Sequence, residues 1–499
     1  MRTFMAPRSR PAARLPFAAL MPSILTLLIT VMVSGCDSGS PTDTGTPVPL
    51  PPTGVTATAG DASATLTWTA QSDVTGYTIY WDTVGHVDSG DSSFVAAAPP
   101  FVHTGLTNGT TYYYRVGSQN RAGPGPLSGQ VSATPNGATG VRAIACGKYS
   151  SFLVDGSGNV HAWGANDDGQ LGIGSFSRAL TPTLVRDITD VVAISSNEYH
   201  TLALTGSGKL YAWGYNTNGE LGNGSNQPAS FPTQVSGPTN FAAIAAGKHY
   251  SIGVTADGRV WAWGSNAGGH LGLGYEGGTV LVPTLVTTSV LDTPGMIAAG
   301  AATSFFKPDD TATNRISIYS WGNNIAGELG RDDGNDSTIR NTPGIIAGTL
   351  SVTAISIRYY HILALRDDGS VLAWGGNSDG QLGNGSITSR NAPDAVRLVQ
   401  NVLAVAAGTM HSLALGDDGR VMAWGGNGFG QLGDGTYNSS PIRLWVNNLT
   451  NITMIAAGES HNLALRDDGT LWSWGSNTYG QLGNGGVGGQ LEPVQVIGY

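Results

Sequence analysis

The stretch Trp163-Gly164-Ala165-Asn166-Asp167-Asp168-Gly169-Gln170-Leu171-Gly172 decides the fold of this chain, because its pattern occurs seven times. The pattern is Trp-Gly-x-Asn-x-x-Gly-x-Leu-Gly, and its tryptophan lies at positions 163, 213, 263, 321, 374, 424 and 474. The interval is 50 residues in four of the six steps. A repeat of this length is typical of a modular array in which each unit buries its apolar face against its neighbours.

Each unit follows the same order of β segments and turns, which is seen most clearly in residues 402–433. The apolar segment Val402–Ala407 is followed by Gly408 and the strand-like run His411–Leu415. The turn Asp417-Asp418-Gly419 then leads to the repeated pattern. Asp-Gly between two apolar segments predicts a hairpin, because this turn requires a positive φ. A last segment, often Pro-x-x-Val, brings the prediction to four strands per unit.

This pattern resembles the repeats of the regulator of chromosome condensation family, which form a seven-bladed β-propeller. The resemblance covers residues 138–499. We expect the last strand, Pro493–Val496, to complete the blade begun at Val141–Ile144 and so to close the ring.

The region before the repeats, residues 53–135, contains short β segments of alternating character, such as Ala64–Trp68 and Tyr112–Val116. A single core tryptophan, Trp68, and the placement of Tyr112 predict a β-sandwich with a tyrosine corner. The segment resembles a fibronectin type III domain. The predicted fold class is therefore all-β, a seven-bladed β-propeller preceded by a fibronectin type III-like β-sandwich. We expect the sandwich to act as a spacer.

The first 35 residues have the order of a bacterial export signal. Four arginines fall within residues 1–14, and a nearly apolar run of 19 residues follows from Leu15 to Val33. The run ends in Val33-Ser34-Gly35-Cys36, which resembles the signal of bacterial lipoproteins, in which the cysteine is acylated and becomes the first mature residue. Residues 36–52 are rich in Ser, Thr, Gly and Pro and predict a lipid-anchored flexible tether. The alternative is an uncleaved membrane anchor.

These features predict a lipoprotein of the bacterial cell envelope that faces the periplasm or the exterior. Cys36 is the predicted lipidation site, and the N-terminal lipid is the only expected contact with the membrane. We expect the protein to be a monomer.

Composition and motifs exclude several classes of function. Charged residues make up only 12% of the chain and the formal net charge is −10, so nucleic acid is not an expected partner. The two cysteines, Cys36 and Cys146, do not form a disulfide scaffold, and Cys146 is predicted to be a small buried residue. The sequence contains no nucleophile elbow, phosphate loop or zinc-type His-Glu pair. We therefore expect no enzyme, no cofactor and no metal site.

Candidate partner-binding residues come from two features of the repeats. The position before the repeated His is often aromatic or Met, and such side chains are good anchors at interfaces. The alternative is that they cover the junctions between units. The fourth unit also has a long turn, residues 307–315, and a charged stretch after its signature, and binding specificity is often carried by such loops. The candidates are Tyr149, Tyr199, His249, Tyr360, Met410, Lys307, Arg315 and Arg331.

The repeated His, present as His200, His361, His411 and His461, is interpreted as a hydrogen-bonded structural residue rather than as a metal ligand. Three functions stay open. The first is a non-catalytic module that binds an unidentified protein, with inhibition or capture of a secreted partner as one case, because a secreted bacterial relative inhibits a β-lactamase. The second, which the family name implies, is guanine-nucleotide exchange, although the wedge it depends on has no match here. The third is an exported enzyme that acts on polysaccharide.

Overall fold

The computed structural model describes residues 47–60, 63–96, 98–104, 106–107, 110–135, 140–287, 295–309, 317–332 and 338–499. These residues form two compact parts, which divide between residues 139 and 140. Both parts are built from β-strands, and the described ranges contain no helix. No helix in these ranges is therefore long and apolar enough to span a membrane. The predicted signal peptide and Cys36 lie outside the described residues.

The first part is a sandwich of two antiparallel sheets. Its described strands are β1 (Thr56–Gly60), β2 (Ser63–Thr67), β3 (Gly76–Asp82), β4 (Ser92–Ala96), β5 (Phe101–Thr104), β6 (Tyr112–Asn120), β7 (Gly123–Leu127) and β8 (Val131–Ala133). One sheet has the order β1-β2-β5, and the other has the order β4-β3-β6-β7 with β8 paired to β6. Trp68 is buried in the core between them. The hydroxyl of Tyr112 accepts a hydrogen bond from the backbone N–H of Thr107 at 3.0 Å, which is the predicted tyrosine corner.

The second part contains seven four-stranded antiparallel sheets, each made of consecutive strands, which we number blades 1 to 7. Blades 1 to 3 comprise β9 (Val141–Cys146), β10 (Ser150–Asp155), β11 (Val160–Gly164), β12 (Ala179–Leu184); β13 (Val191–Ser196), β14 (His200–Thr205), β15 (Leu210–Gly214), β16 (Ala229–Gln234); and β17 (Phe241–Ala246), β18 (Tyr250–Thr255), β19 (Val260–Ser265), β20 (Thr279–Leu285). Blades 4 and 5 comprise β21 (Gly295–Ala299), β22 (Thr303–Pro308), β23 (Tyr319–Gly322), β24 (Arg340–Ile345); and β25 (Val352–Ile357), β26 (His361–Arg366), β27 (Val371–Gly375), β28 (Arg390–Ala395). Blades 6 and 7 comprise β29 (Val402–Ala407), β30 (His411–Gly416), β31 (Val421–Gly425), β32 (Ser440–Trp445); and β33 (Ile452–Ala457), β34 (His461–Arg466), β35 (Leu471–Gly475), β36 (Gln490–Gln495).

The hairpins predicted from Asp-Gly are present between the second and third strands. In blade 6, Asp418 Oδ1 accepts the backbone N–H of Arg420 at 3.0 Å. Gly419 has a φ of +73°, and a Cβ there would lie 3.1 Å from the Cα of Asn451, which precedes β33 of the next blade. Glycine is thus required both by the turn and by the close approach of two blades.

The signature tryptophans join neighbouring blades. Each indole is fully buried and donates its Nε1–H, over 2.8 to 3.0 Å, to the backbone carbonyl that precedes the signature Leu of the adjacent blade. The seven pairs are Trp163–Gln481, Trp213–Gln170, Trp263–Glu220, Trp321–His270, Trp374–Glu328, Trp424–Gln381 and Trp474–Gln431. The signature therefore specifies both the local turn and the packing of one blade against the next.

The ring closes by this same contact and not by an exchanged strand. β36 pairs with β35 in blade 7, whereas β9 pairs with β10 in blade 1. The prediction that Pro493–Val496 completes the first blade is therefore wrong. Trp163 of blade 1 instead donates to the carbonyl of Gln481 of blade 7 at 3.0 Å. Among the described residues, each of the seven sheets is made of four consecutive strands, so each repeat supplies its own blade.

Candidate functional site

The candidate site is the end of the propeller where the first and second strands of each blade are joined. We call it the axial end. It consists of the turns at residues 147–150, 197–200, 247–250, 300–303, 358–361, 408–411 and 458–461. The signature loops reach the same end, since the ring of Tyr149 stacks on that of Tyr479 with centroids 4.7 Å apart. The Asp-Gly turns lie at the opposite end.

The repeated His connects blades from within this end. His200 Nε2 lies 2.8 Å from Ser251 Oγ, and His411 Nε2 lies 2.7 Å from Asn462 Oδ1, in each case in the next blade. The same bond joins His461 of blade 7 to Ser151 of blade 1 at 3.0 Å. Burial lowers the pKa of His200 to about 4 and that of His461 to about 3, so both are neutral at physiological pH. Within the described ranges, no group of three or more His, Cys, Asp or Glu side chains is arranged to hold a metal ion.

Two side chains fill the centre of the axial end. Glycine begins the turn in five blades, but blade 2 has Asn197 and blade 5 has Arg358. The guanidinium of Arg358, only 5% exposed, donates to the backbone carbonyls of Asn197, Cys146 (3.0 Å) and Ala457 (3.4 Å). Asn197 Nδ2 donates to the carbonyls of Arg358 and Ala299, both at 3.3 Å. These bonds connect blades 1, 2, 4, 5 and 7 across the axis.

Two lysine–glutamate pairs lie beside these central side chains. Lys148 Nζ lies 3.9 Å from Glu459 Oε2 and donates to the hydroxyl of Tyr199 at 2.8 Å. Lys248 Nζ lies 3.5 Å from Glu198 Oε1. Burial disfavours the charge on Lys148, but the bond to Tyr199 and the nearby Glu198 and Glu459 raise its pKa overall. The axial end therefore carries fixed charges at its centre.

All five residues predicted before the repeated His lie at the axial end: Tyr149, Tyr199, His249, Tyr360 and Met410. Four of them are half-buried and contact neighbouring side chains. The ring of Tyr360 meets that of Tyr359 edge-on with centroids 4.4 Å apart, and His249 Nδ1 lies 3.5 Å from Glu220 Oε1 of the preceding blade. Met410 is 39% exposed. These residues both cover blade junctions and present an aromatic surface, and their role in binding stays a prediction.

The three candidates from blade 4 have different surroundings. Lys307 lies within β22 and is only 4% exposed, so it does not offer the free ammonium expected of a surface contact. Arg331 is half-buried and donates from Nε to Ser320 Oγ at 3.2 Å and from a terminal nitrogen to the carbonyl of Thr342 at 3.4 Å. Arg315 lies outside the described residues. The sequence pattern did not reveal that the strand carrying Lys307 is buried on both faces.

The residue before the signature Leu is a second place where blades differ. It is Gln in blades 1, 5, 6 and 7, His in blade 3, and Glu in blades 2 and 4. Glu220 accepts from Asn218 Nδ2 at 2.8 Å and faces His249, and these contacts lower its pKa although burial raises it. Glu328 accepts the backbone N–H of Ala326 at 2.7 Å, and burial raises its pKa to about 7.

The structure thus assigns roles to residues that the sequence did not single out, above all Arg358, Asn197 and the two axial lysines. For Arg358 and Asn197 the signal in the sequence is a departure from the glycine of the other repeats. Arg358 and Asn197 stand where five blades have glycine, yet a single repeat does not show that these positions converge on one axis.

Comparison with known families agrees with this architecture. The model described as regulator of chromosome condensation (RCC1) repeat matches residues 157–204, 207–254, 257–306, 368–415, 418–465 and 468–498, which together exceed half of the chain. The chain belongs to the RCC1 repeat family. A second RCC1 repeat model matches six segments between residues 141 and 481, and the fibronectin type III domain model matches residues 50–134. None of these models describes a catalytic family.

Solved RCC1-type structures share the fold of the propeller. Prp20p from Saccharomyces cerevisiae is 24% identical with a TM-score of 0.59, covering 68% of this chain and 86% of that one, and it is described with binding to Gsp1p and histones. Human WBSCR16 is 23% identical with a TM-score of 0.61, covering 68% and 94%. The mitochondrial RCC1 domain-containing protein RUG3 from Arabidopsis thaliana is 35% identical over 112 residues, 22% of this chain. That match spans about a quarter of RUG3, 24% of its length.

Proposed function

We propose that this protein is a cell-envelope lipoprotein whose RCC1-type propeller binds a protein partner through the axial end, without catalysis. The observation that carries the proposal is the closed, cross-connected centre of that end. Arg358 and Asn197 fill the axis with their side chains, so the surrounding aromatic and charged residues form a platform on a rigid support. A pre-formed platform favours binding, because little conformational entropy is lost when the partner docks.

The chemistry of the platform also favours a protein partner. Met410 and Phe429 of blade 6 are exposed by 39% and 57%, and half-buried tyrosines of other blades lie at the same end of the propeller. Aromatic and Met side chains are common anchors at the centre of protein interfaces. Solved relatives of this fold are described with protein partners, Gsp1p for Prp20p and Kap60 for the same yeast protein. An inhibitor or capture protein for a secreted partner is the specific form that we propose.

The N-terminal segment of the sequence supports a location at the cell envelope. Cys36 follows an apolar segment and precedes a polar tether, so acylation there holds the propeller near a membrane surface without a spanning segment. A guanine-nucleotide exchange factor in that setting has no small GTPase to act on, so the binding function is the better proposal.

The test is affinity capture from envelope and culture extracts with the full chain. We expect one protein to be retained by the parent and lost from a variant with Met410→Ser and Phe429→Ser. The matched control is Leu398→Asn at the opposite end, since Leu398 is 69% exposed and has a φ of +59° that Asn tolerates. Equal capture by the parent and both variants would contradict binding at the axial end. Release of sugar from a glycan panel would favour the enzyme alternative.

A further inference from the structure

The loop that follows each signature ends in a tip at the outer rim of the axial end. Four tips carry exposed apolar side chains, with exposures of 53% for Phe176, 67% for Ile387, 64% for Tyr437 and 49% for Val487. They belong to blades 1, 5, 6 and 7, which are consecutive because blade 7 packs against blade 1. We call these four residues the rim arc.

The tip loops are held in place without help from the tip side chains. In blade 6 the signature Asn427 donates to the backbone carbonyls on either side of Tyr437, at 3.0 and 3.1 Å. Blade 2 makes the same two bonds from Asn216, at 2.9 and 2.8 Å, although its tip residue is Asn226. The loop therefore forms equally well with a polar tip, so the apolar side chains of the rim arc are not required by the fold.

An exposed apolar side chain on a rigid loop is well suited to bind. Its loop is already ordered, so docking costs little conformational entropy, and burial of its apolar surface is favourable. The arc continues inward in blade 6, where Phe429 and Met410 are also exposed. Blades 5, 6, 7 and 1 thus carry apolar tips in an unbroken series. The tips of blades 2 and 3 are Asn226 and Glu276, although Tyr275 beside the blade 3 tip is 50% exposed.

The charges beside the arc are predominantly negative. Acidic side chains on the same loops are Asp167, Asp168, Asp379 and Asp434. None of these four forms an ion pair among the residues that the structure describes. The cations beside these loops are Arg178, Arg390 and Arg397, of which Arg390 is paired with Asp394 at 3.4 Å and the exposed Arg397 lies against Gly385 of the blade 5 loop. A partner surface that combines apolar anchors with Lys or Arg complements this pattern.

We infer that the rim arc is the primary docking surface of the axial end and that it selects a basic, apolar protein segment. The inference rests on the proposed protein-binding function and specifies which blades and which chemistry carry it. An anionic membrane surface is a poorer fit, since the unpaired acids lie beside the apolar tips and repel it.

The experiment uses the full chain as the target for a library of random peptides displayed on phage. The rim variant is Phe176→Asn, Ile387→Asn, Tyr437→Asn and Val487→Asn, because the chain itself uses Asn at the equivalent tip of blade 2. The control is Leu398→Asn at the opposite end. Melting of the rim variant within a few degrees of the parent verifies its fold.

We expect the enriched peptides to pair apolar residues with Lys or Arg and to bind the rim variant at least about a hundredfold more weakly than the parent. Binding to the control should be unchanged, and affinity should fall with added salt. Peptides that bind the rim variant as well as the parent, but not Met410→Ser with Phe429→Ser, would overturn the rim arc and leave the proposed function standing. Peptides insensitive to both variants would contradict both. Tip-dependent sedimentation with phosphatidylglycerol vesicles would assign the tips to the membrane instead.

Discussion

Glu328 provides the sharpest test of how the blades differ, because Gln occupies the equivalent position in four other blades. The carboxyl group is almost fully buried, and burial raises its pKa from the ordinary 4.5 to about 7. Replacement by Gln keeps the size and the hydrogen-bond acceptor while removing the ionisation. The substitution Glu328→Gln therefore isolates the free-energy cost of ionising a buried acid.

The sign and size of the effect follow from the two pKa values. A group whose pKa is higher in the folded state destabilises that state once it ionises, so the cost is absent below pH 4.5 and complete above about pH 7. At 1.36 kcal/mol per pKa unit, the shift corresponds to at most about 3 kcal/mol. We expect Glu328→Gln to raise the stability of the propeller by up to this amount at pH 8 and to leave it unchanged at pH 4.

Glu220 is the matched control, because it occupies the same position in blade 2. Its contacts with His249 and Asn218 lower its pKa despite burial, so its charge stabilises the fold above the ordinary pKa and this contribution is lost as the pH falls. Glu220→Gln should therefore destabilise at pH 8. The assay is thermal unfolding between pH 4 and pH 8, followed by the fluorescence of the buried tryptophans. A shift of the same sign for both variants at pH 8 would refute the reasoning.

Three further predictions concern the closure of the propeller ring, the hydrogen bonds across its axis and the lipid attachment at Cys36. Gly483→Ala places a Cβ 2.7 Å from Trp163 Nε1, at a φ of +67°. It should lower the melting temperature as much as Gly383→Ala, which makes the same contact between blades 5 and 6. A much smaller effect of Gly483→Ala would contradict closure of the ring by the signature contact. Arg358→Gly restores the consensus residue but removes the hydrogen-bond donor from three buried carbonyls. We expect the free energy of unfolding, measured in urea, to fall by about 3 kcal/mol or more. Unchanged stability would show that the bonds across the axis are dispensable. Cys36→Ser should move the protein from the detergent phase to the aqueous phase in Triton X-114 partitioning, and retention in the detergent phase would favour an uncleaved anchor.

The fold could be predicted from the sequence to a large extent, because local chemistry specifies it. The Asp-Gly turns, the alternating strands and the signature each act within a few residues of their own position. The tyrosine corner at Tyr112 is equally local, since its hydroxyl binds Thr107. Closure was predicted wrongly, because strand exchange and side-chain contact leave the same pattern of strands along the chain.

The candidate site was predictable only in part. The aromatic positions before the repeated His were identified from their spacing, and the structure brings them to one end. The burial of Lys307 was not predictable, because it depends on strands that pack over β22. The rim arc is not predictable from the sequence, since an isolated Phe or Tyr in a loop carries no signal until consecutive blades align it.

The sequence alone determined the number of repeats and the type of strand and turn within each. These properties follow from interactions inside one repeat or between two adjacent ones. Only the tertiary structure decided which side chains meet at the axis and whether the pKa of a buried acid is raised or lowered. Arg358 contacts the carbonyl of Cys146, 212 positions away in the chain, and opposite pKa shifts arise for Glu220 and Glu328 from their different neighbours. The contact of Arg358 depends on the closed ring, because the ring brings to one axis residues that no local pattern relates.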